Sequence, residues 1–184
     1  MDAQLAVRYL RAQSGALGLD VARLCAWGES AGGHLAAFLG MVAGTWPGDE
    51  AGLYAGESPA VSCVVDVHGP VDLTRWLATG EQRHYAYGLF GDRQPADGMT
   101  ALTAASPVFY VSAASAPTLI AQGTADTLVP ASQSEELRRA LGAADVAVEY
   151  VPFAGGHNLA ALSLRAQQDL TARCVAYLME REMP

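Results

Sequence analysis

Apolar residues along the chain occur in two recurring patterns, short continuous runs and helical spacing. Four short runs show little alternation with polar residues, which is typical of strands covered on both faces of a sheet. They span residues 21–27, 61–67, 117–122 and 146–151. The strand pattern alternates with the helical one, so the chain predicts strands connected by helices.

Helical spacing occupies the segments before, between and after these runs. The predicted helices cover residues 2–17, the segment from the turn 28–32 to a stop before Gly44, residues 131–141 and residues 163–179. We expect the second helix to bury Leu35, Leu39 and Val42. Strands that alternate with helices form a parallel sheet with helices on both faces. The predicted fold class is therefore α/β, with one domain over residues 1–184.

The connection over residues 69–112 is long and irregular in its pattern. Structureless connections of this length inside a compact domain are usually functional. We interpret this segment as a lid or a pocket wall.

Composition narrows the chemistry that the chain can perform. The 184 residues carry a formal net charge of −8, and all 11 basic side chains are arginine. Without lysine, Schiff-base, pyridoxal-phosphate and P-loop chemistry are excluded. The acidic balance argues against nucleic acid or an anionic membrane as a partner, because both require a positive field.

Cysteine usage and the first residues of the sequence bear on the compartment. Cys25, Cys63 and Cys174 are odd in number and form no C-x-x-C pair, a usage typical of free thiols in a reducing environment. Residues 1–4 carry no basic stretch, and no apolar run approaches the roughly 20 residues of a membrane span. We predict a cytoplasmic protein that does not bind membranes.

A G-x-S-x-G pentapeptide stands between the first strand and the second helix. Gly28, Ser30 and Gly32 fit a sharp turn that strains the serine backbone, and side chains at the glycine positions would clash with neighbouring backbone. The turn would expose the Ser30 hydroxyl at a helix N-terminus and direct the amide of Ala31 toward a forming oxyanion. Ser30 is therefore the candidate nucleophile, although the same pattern also fits an ordinary glycine-rich turn.

A serine nucleophile requires a base, and the chain offers four histidines. His157 follows the fourth strand on a glycine-rich loop, from which it can reach across the carboxyl edge of the sheet toward Ser30. His68 follows the second strand and is its competitor. His34 lies on the helix of Ser30 and is interpreted as a packing residue, and His84 lies in the irregular stretch.

The base requires an orienting carboxylate. Asp126 directly follows the third strand and is the candidate, with Asp66 and Asp72 as rivals. Asp66 lies inside a strand, and Asp72 lies in a turn where it is expected to cap its own backbone. The chain order Ser30, Asp126, His157 is the order of α/β-hydrolases.

With these motifs assembled, the sequence resembles the α/β-hydrolase superfamily and, within it, the bacterial acetyl esterase/lipase-like enzymes. The resemblance extends over nearly the whole chain and rests on residues 28–34, 105–107, 123–130 and 155–157. It implies that Ser30 is the nucleophile, His157 the base and Asp126 its orienting acid, without a metal or organic cofactor. It also implies hydrolysis of small carboxylic esters through an acyl-enzyme, with a peptidase or amidase on the same fold as the alternative.

One departure from the family pattern is the lack of a His-Gly-Gly loop, which would supply the second half of the oxyanion hole. Because the chain begins on the helix that leads into the nucleophile strand, we predict the C-terminal portion of the fold, truncated at its N-terminus. The first strand is then expected to present an unpaired edge that favours self-association. A further alternative is a weakly active or inactive fragment.

Residues that contact the ester are sought beside the elbow and in the irregular stretch. The candidates are Glu29, Trp76, Tyr85, Tyr87 and Phe90. Ordinary core packing is an equal interpretation of each aromatic residue. Glu29 is interpreted as a partly buried elbow residue without a catalytic role.

Overall fold

Four parallel strands form one sheet, with their order along the chain preserved across it. The computed structural model describes residues 2–42, 44, 52–76 and 98–182. The strands are β1 (Cys25–Glu29), β2 (Cys63–Val67), β3 (Thr118–Gly123) and β4 (Val148–Phe153). Their order is β1-β2-β3-β4, and every neighbouring pair is parallel. The carboxyl ends of all four strands therefore lie along the same edge of the sheet.

Helices cover both faces of this sheet. They are α1 (Asp2–Ala12), α2 (Ser14–Leu17), α3 (Ala31–Met41), α4 (Leu73–Trp76), α5 (Gly98–Ala104), α6 (Ala131–Ala143) and α7 (Leu164–Glu182). Among the helices in the described part of the chain, none combines the length and the apolar character that a bilayer span requires.

The core is divided between the two faces by the alternation of side chains along the strands. On β3, Ile120 packs in one cluster with Leu137 of α6, whereas Leu119 packs in another with Tyr177 of α7. Neighbouring residues of a strand point to opposite faces, so α6 and α7 cover opposite sides. The predicted α/β class, a parallel sheet with helices on both faces, is confirmed.

The first strand differs from its sequence-based prediction in position and in burial. Val21–Arg23 forms a 3₁₀ helix, whose start is capped because the Asp20 carboxylate accepts a hydrogen bond from the Ala22 amide. β1 begins only at Cys25, and Trp27 is 45% exposed. Within the described residues β1 pairs with β2 alone and is therefore an edge strand. The exposure of Trp27 shows that β1 is not covered on both faces, contrary to the prediction from the pattern. Self-association through this edge stays a prediction.

Helix α3 and the residue after it bury Phe38, Met41 and Val42 together with small residues. Of the three residues expected to be buried, Val42 is, whereas the two leucines are not. Ala37 is fully buried, whereas Leu35 is 44% exposed and lines an apolar groove of about 390 Å³ between α1, β1 and α3. A Cβ atom on Gly40 would lie 2.3 Å from a methyl group of Val64. Because α3 approaches the sheet this closely at Gly40, that position has no room for a side chain.

Two of the three cysteines are joined, which corrects the expectation of free thiols. Cys25 of β1 and Cys63 of β2 form a disulfide, with Cα atoms 4.7 Å apart. The parallel register places them directly opposite each other, although they are 38 positions apart in the sequence. Cys174 is free and buried.

The stretch 69–112 is more regular than its pattern suggested in the part that is described. It contains α4, α5 and a 3₁₀ helix at Pro107–Tyr110. Residues 77–97 lie outside the described residues. The interpretation of this stretch as a lid or pocket wall therefore stays a prediction.

Reduction of the Cys25–Cys63 disulfide is expected to lower the free energy of unfolding by about 2–4 kcal/mol, because the link constrains the unfolded chain. Urea denaturation with and without a thiol reductant measures the effect. The double variant C25S/C63S serves as the control, since its stability should not respond to the reductant. Alkylation of denatured, unreduced protein should modify Cys174 alone, and three modified thiols in protein made under oxidising conditions would contradict the pairing.

Candidate active site

Ser30 occupies a sharp turn between β1 and α3. Its backbone has φ 56° and ψ −117°, in a region that residues other than glycine seldom adopt. The Ser30 amide donates to the Val67 carbonyl at 2.9 Å, which extends the β1–β2 ladder into the turn. The strained serine is thus fixed to the neighbouring strand by its backbone.

Steric crowding explains two of the glycines around Ser30, though only partly as expected. A Cβ atom on Gly28 would lie 2.0 Å from the carbonyl oxygen of Gly32, whereas a Cβ atom on Gly32 would meet open space. The second crowded position is Gly33, where a Cβ atom would lie 2.4 Å from an Asp66 carboxylate oxygen. The predicted clash is therefore correct for Gly28 and wrong for Gly32.

Asp126 lies in the loop between β3 and α6, and its side chain is fully buried. Its Oδ1 accepts hydrogen bonds from the amides of Leu128 and Val129, both at 2.9 Å. An aspartate that accepts bonds from the backbone two and three residues ahead closes a tight turn. The remaining oxygen, Oδ2, is consequently held toward the loop after β4.

His157 lies on the loop after β4 and connects the other two side chains. Its Nδ1 donates to Asp126 Oδ2 at 2.8 Å, and its Nε2 accepts from the Ser30 hydroxyl at 2.8 Å. The Ala125 amide donates to the Gly155 carbonyl at 2.8 Å, which holds this loop against the loop of Asp126. The structure therefore brings together the three side chains that the sequence assigned to one site. The two hydrogen bonds link them in series, with the imidazole of His157 between the serine hydroxyl and the carboxylate.

The other histidines and acids occupy different positions. His34 donates from Nδ1 to the Pro70 carbonyl at 2.7 Å, and burial lowers its pKa, in accordance with a packing role. His84 lies outside the described residues. Asp72 accepts hydrogen bonds from the Thr74 and Arg75 amides and caps α4, as expected.

Residues expected around the substrate are only partly placed. Ala31 is the first residue of α3, and the first amides of a helix lack acceptors within it, so its N–H is free of the helix ladder. Trp76 donates from Nε1 to the Leu128 carbonyl at 2.8 Å, a contact with the loop of Asp126. Tyr85, Tyr87 and Phe90 lie outside the described residues, so their contact with substrate stays a prediction.

Glu29 is more exposed than expected, and it faces His68. Its side chain is 51% exposed, and Oε1 lies 3.5 Å from Nε2 of the fully buried His68. The His68 ring in turn lies against His157, with ring centroids 4.3 Å apart. Sequence reasoning assigned His68 only as a competitor for the base and missed this pairing. Its position directly after β2 was the one available signal.

Three of these side chains are also close enough to one another to ligate a metal ion. Among the described residues, His68, Asp126 and His157 each place a ligand atom within 4.8 Å of the others. However, Asp126 and His157 already share a hydrogen bond, and the second oxygen of Asp126 accepts two amides. In this arrangement the cluster holds a proton between acid and base. The expectation of a metal-free site stays a prediction.

Comparison with known proteins identifies the family. A model of the BD-FAE family matches residues 1–141, well over half of the chain. The chain belongs to the BD-FAE family. Its relatives include esterase LipQ of Mycobacterium tuberculosis, which is 27% identical over 182 residues, 96% of this chain and 42% of LipQ.

Solved structures agree with this family. A truncated form of a carbohydrate esterase from gut microbiota has a TM-score of 0.78 and 27% identity, over 98% of this chain and 67% of that one. Esterase 2 of Thermogutta terrifontis, phosphoramylated by tabun, has a TM-score of 0.76 and 27% identity, over 98% of this chain and 63% of that one. These likenesses confirm the predicted α/β-hydrolase fold. The chain spans less than half the length of LipQ and about two thirds of these two structures.

Asp66 is a fully buried carboxyl group that lies against Gly33, in the first turn of α3. Its Oδ1 accepts from the Gly69 amide at 2.8 Å, and its Oδ2 has no hydrogen-bond partner among the described residues. Burial raises the pKa of Asp66 to about 7. The folded state therefore keeps a proton that the unfolded chain releases near pH 4.

The free energy of unfolding is expected to fall as pH rises from about 4 to about 7, because the unfolded state loses the Asp66 proton first. The loss should reach about 4 kcal/mol. Asp66→Asn, which carries no charge, should gain stability relative to the wild type as pH rises, and the difference should be larger at pH 8 than at pH 5, measured by urea denaturation. Asp145→Asn, at an exposed position, is the matched control and should keep the wild-type pH dependence. Equal destabilisation of Asp66→Asn at both pH values would contradict a protonated Asp66.

Proposed function

We propose that the chain is a serine hydrolase that cleaves small carboxylic esters through an acyl-enzyme on Ser30. The observation that carries the proposal is the pair of 2.8 Å hydrogen bonds that join Ser30 to His157 and His157 to Asp126. A serine hydroxyl alone is a weak nucleophile, and an adjacent oriented imidazole activates it. The esterase names of the related proteins support the same reaction class.

In the first half-reaction, Ser30 Oγ attacks the carbonyl carbon of the ester while His157 Nε2 takes the hydroxyl proton. A new C–O bond forms, and the π electrons of the carbonyl move to its oxygen. The tetrahedral intermediate then collapses, the bond to the alcohol oxygen breaks, and His157 returns the proton to the departing alcohol. Asp126 stays ionised and stabilises the transient imidazolium.

The negative charge on the intermediate falls near the N-terminus of α3. The Ala31 N–H and the positive end of the α3 dipole favour an anion there. A second donor would ordinarily share this charge, and the sequence has no His-Gly-Gly run to supply it. Because one donor is worth about 10²–10³ in kcat, its presence or absence decides whether the activity is strong or weak.

In the second half-reaction, water takes the place of the alcohol. His157 Nε2 removes a proton from this water, which attacks the acyl carbon of the Ser30 ester. When the second tetrahedral intermediate collapses, the bond to Ser30 Oγ breaks and His157 gives the proton back to the serine. The products are the free carboxylic acid and the regenerated triad.

The proposed substrates are esters with a short acyl group, on a sugar, an alkyl or an aryl alcohol. The similarity to a carbohydrate esterase from gut microbiota supports acylated sugars as one such class. The side chains that would select the alcohol include Trp76, whose indole contacts the loop of Asp126. No nucleic acid or membrane partner belongs to this proposal.

The cytoplasmic location expected from cysteine spacing stays a proposal, and the Cys25–Cys63 disulfide weighs against it. Stable disulfides are characteristic of oxidising compartments, since cytosolic thiols are kept reduced. The oxidation state of these two cysteines in protein taken directly from cells would decide between the two environments.

Reaction with a fluorophosphonate tests the proposed nucleophile. We expect one adduct on Ser30, located by mass spectrometry of peptides, and none in Ser30→Ala. Ser112→Ala is the matched control, because Ser112 is exposed and its hydrogen bonds are to Ala114 and Ser115 rather than to the site, and its variant should label like the wild type. A folded wild-type protein without an adduct on Ser30 would contradict the proposed hydrolase and favour a non-catalytic module.

Turnover of p-nitrophenyl acetate tests the base and the reaction class. His157→Ala should lower kcat by at least about 10³-fold, because the serine loses its proton acceptor. His68→Ala should lower it less. A greater loss in His68→Ala than in His157→Ala would overturn the assigned base, and faster cleavage of an acetanilide than of the acetate ester would favour the amidase.

A further inference from the structure

His68 is a buried histidine that the proposed reaction does not use. It follows β2 directly, it is 0% exposed, and its amide donates to the Ala121 carbonyl of β3 at 2.8 Å. Its backbone has φ 42°, in the left-handed region that costs a residue other than glycine or asparagine free energy. Strained backbone of this kind persists where the surroundings enforce it, often at functional sites.

Both ring nitrogens of His68 are buried without a hydrogen-bond partner among the described residues. Unsatisfied polar atoms in a protein interior cost free energy, so an apolar side chain would be the cheaper filler for this space. The position therefore combines two unfavourable features, strained backbone and unpaired polar atoms. A role beyond filling space explains both.

The face of the His68 ring lies against the catalytic candidate His157. Their centroids are 4.3 Å apart with an angle of 35° between the ring planes, which is closer than most stacked aromatic pairs. Two glycines, Gly155 and Gly156, precede His157 in the chain. Its side chain is 20% exposed.

The two hydrogen bonds of His157 leave one motion of its ring unrestrained. They attach at Nδ1 and Nε2, to Asp126 and Ser30, and both are made in the plane of the ring. They oppose movement within that plane, but they oppose rotation about the line through the two nitrogens only weakly. A second ring against the face of His157 opposes this rotation directly.

Two carboxylates lie near the ring nitrogens of His68. Its Nε2 lies 3.5 Å from Glu29 Oε1, and its Nδ1 lies 3.8 Å from Asp126 Oδ2. Both distances exceed ordinary hydrogen bonds, and because a neutral imidazole carries one N–H, only one of the two carboxylates faces a donor. Burial and the neighbouring His157 lower the pKa of His68, while the two carboxylates oppose that shift. A neutral His68 does not repel the imidazolium that forms on His157.

We propose that His68 is a positioning residue that holds the His157 ring in its productive orientation by stacking on its face. The inference rests on the proposed esterase function. It assigns no proton transfer to His68. Misplacement of a reacting group by about 1 Å can cost a factor of 10² in rate, so loss of the stacking ring should appear in kcat.

The test compares two variants at one position. His68→Asn removes the ring and suits the left-handed backbone, and His68→Phe restores a planar ring without the nitrogens. With p-nitrophenyl acetate, we expect H68N to lower kcat by about 10–100-fold while KM changes less than about threefold. H68F should recover kcat to within about fivefold of the wild type. The rate of fluorophosphonate labelling of Ser30 should follow the same order.

A second measurement does not depend on turnover. In the proton NMR spectrum, the His157 Nδ1–H that is bonded to Asp126 should give a downfield resonance in the wild type and in H68F, broadened or absent in H68N. Should H68N fail to fold, His68→Leu replaces it as a filler without a planar ring, with the same expected loss.

Two results overturn the proposal: H68N with kcat within twofold of the wild type, or folded H68F that is as impaired as H68N. Failure of the esterase function itself looks different. In that case wild-type Ser30 is not labelled and no variant changes a rate, while the downfield resonance still reports whether the ring of His68 positions His157.

Discussion

Parallel pairing through β2 is the constraint on which the site depends. Ser30, Asp126 and His157 follow three different strands, and β2 and the ladder bonds fix the distances among them. The ladder continues past the strand ends, where the Ser30 amide donates to Val67 and the His68 amide donates to Ala121. Because the backbone is fixed up to the turn, side chains 127 positions apart in sequence meet at 2.8 Å.

The loops beyond this edge are fastened by polar side chains from the first turn of α6. Gln133 accepts hydrogen bonds from the Val71 and Asp72 amides, both at 2.8 Å, and so fixes the chain after β2. Ser134 donates to the buried Gln122, whose amide nitrogen donates to the Val129 carbonyl beside Asp126. Buried polar groups stabilise a structure only when their partners are present. The same helix thus orders both the loop of Asp126 and the segment after β2 that carries His68.

Much of this arrangement follows from sequence patterns, and the failures share a physical cause. Strand-helix alternation and the rule that ligands gather at carboxyl ends predicted the fold and the adjacency of Ser30, Asp126 and His157. Their catalytic roles are a proposal that adjacency alone does not decide. Contacts between side chains of different strands were missed, since Glu29 and His68 carry no periodic signal. The hydrophobic pattern also gave no sign of the cap by Asp20. It therefore placed the start of the first strand at residue 21, where the structure has a 3₁₀ helix before β1.

The Cys25–Cys63 disulfide is a cross-strand contact that lies away from the candidate active site and still affects its geometry. Cys25 begins β1 and Ser30 directly follows its end, a separation of about 16 Å at roughly 3.3 Å per residue. The link therefore ties the exposed edge strand to the buried β2 at the end opposite the site. Since β1 pairs on one side only within the described residues, it has fewer hydrogen bonds than β2 or β3 to hold its register. The disulfide at the start of β1 fixes the alignment of β1 with β2. The position of the turn at Ser30, which follows β1, depends on that alignment.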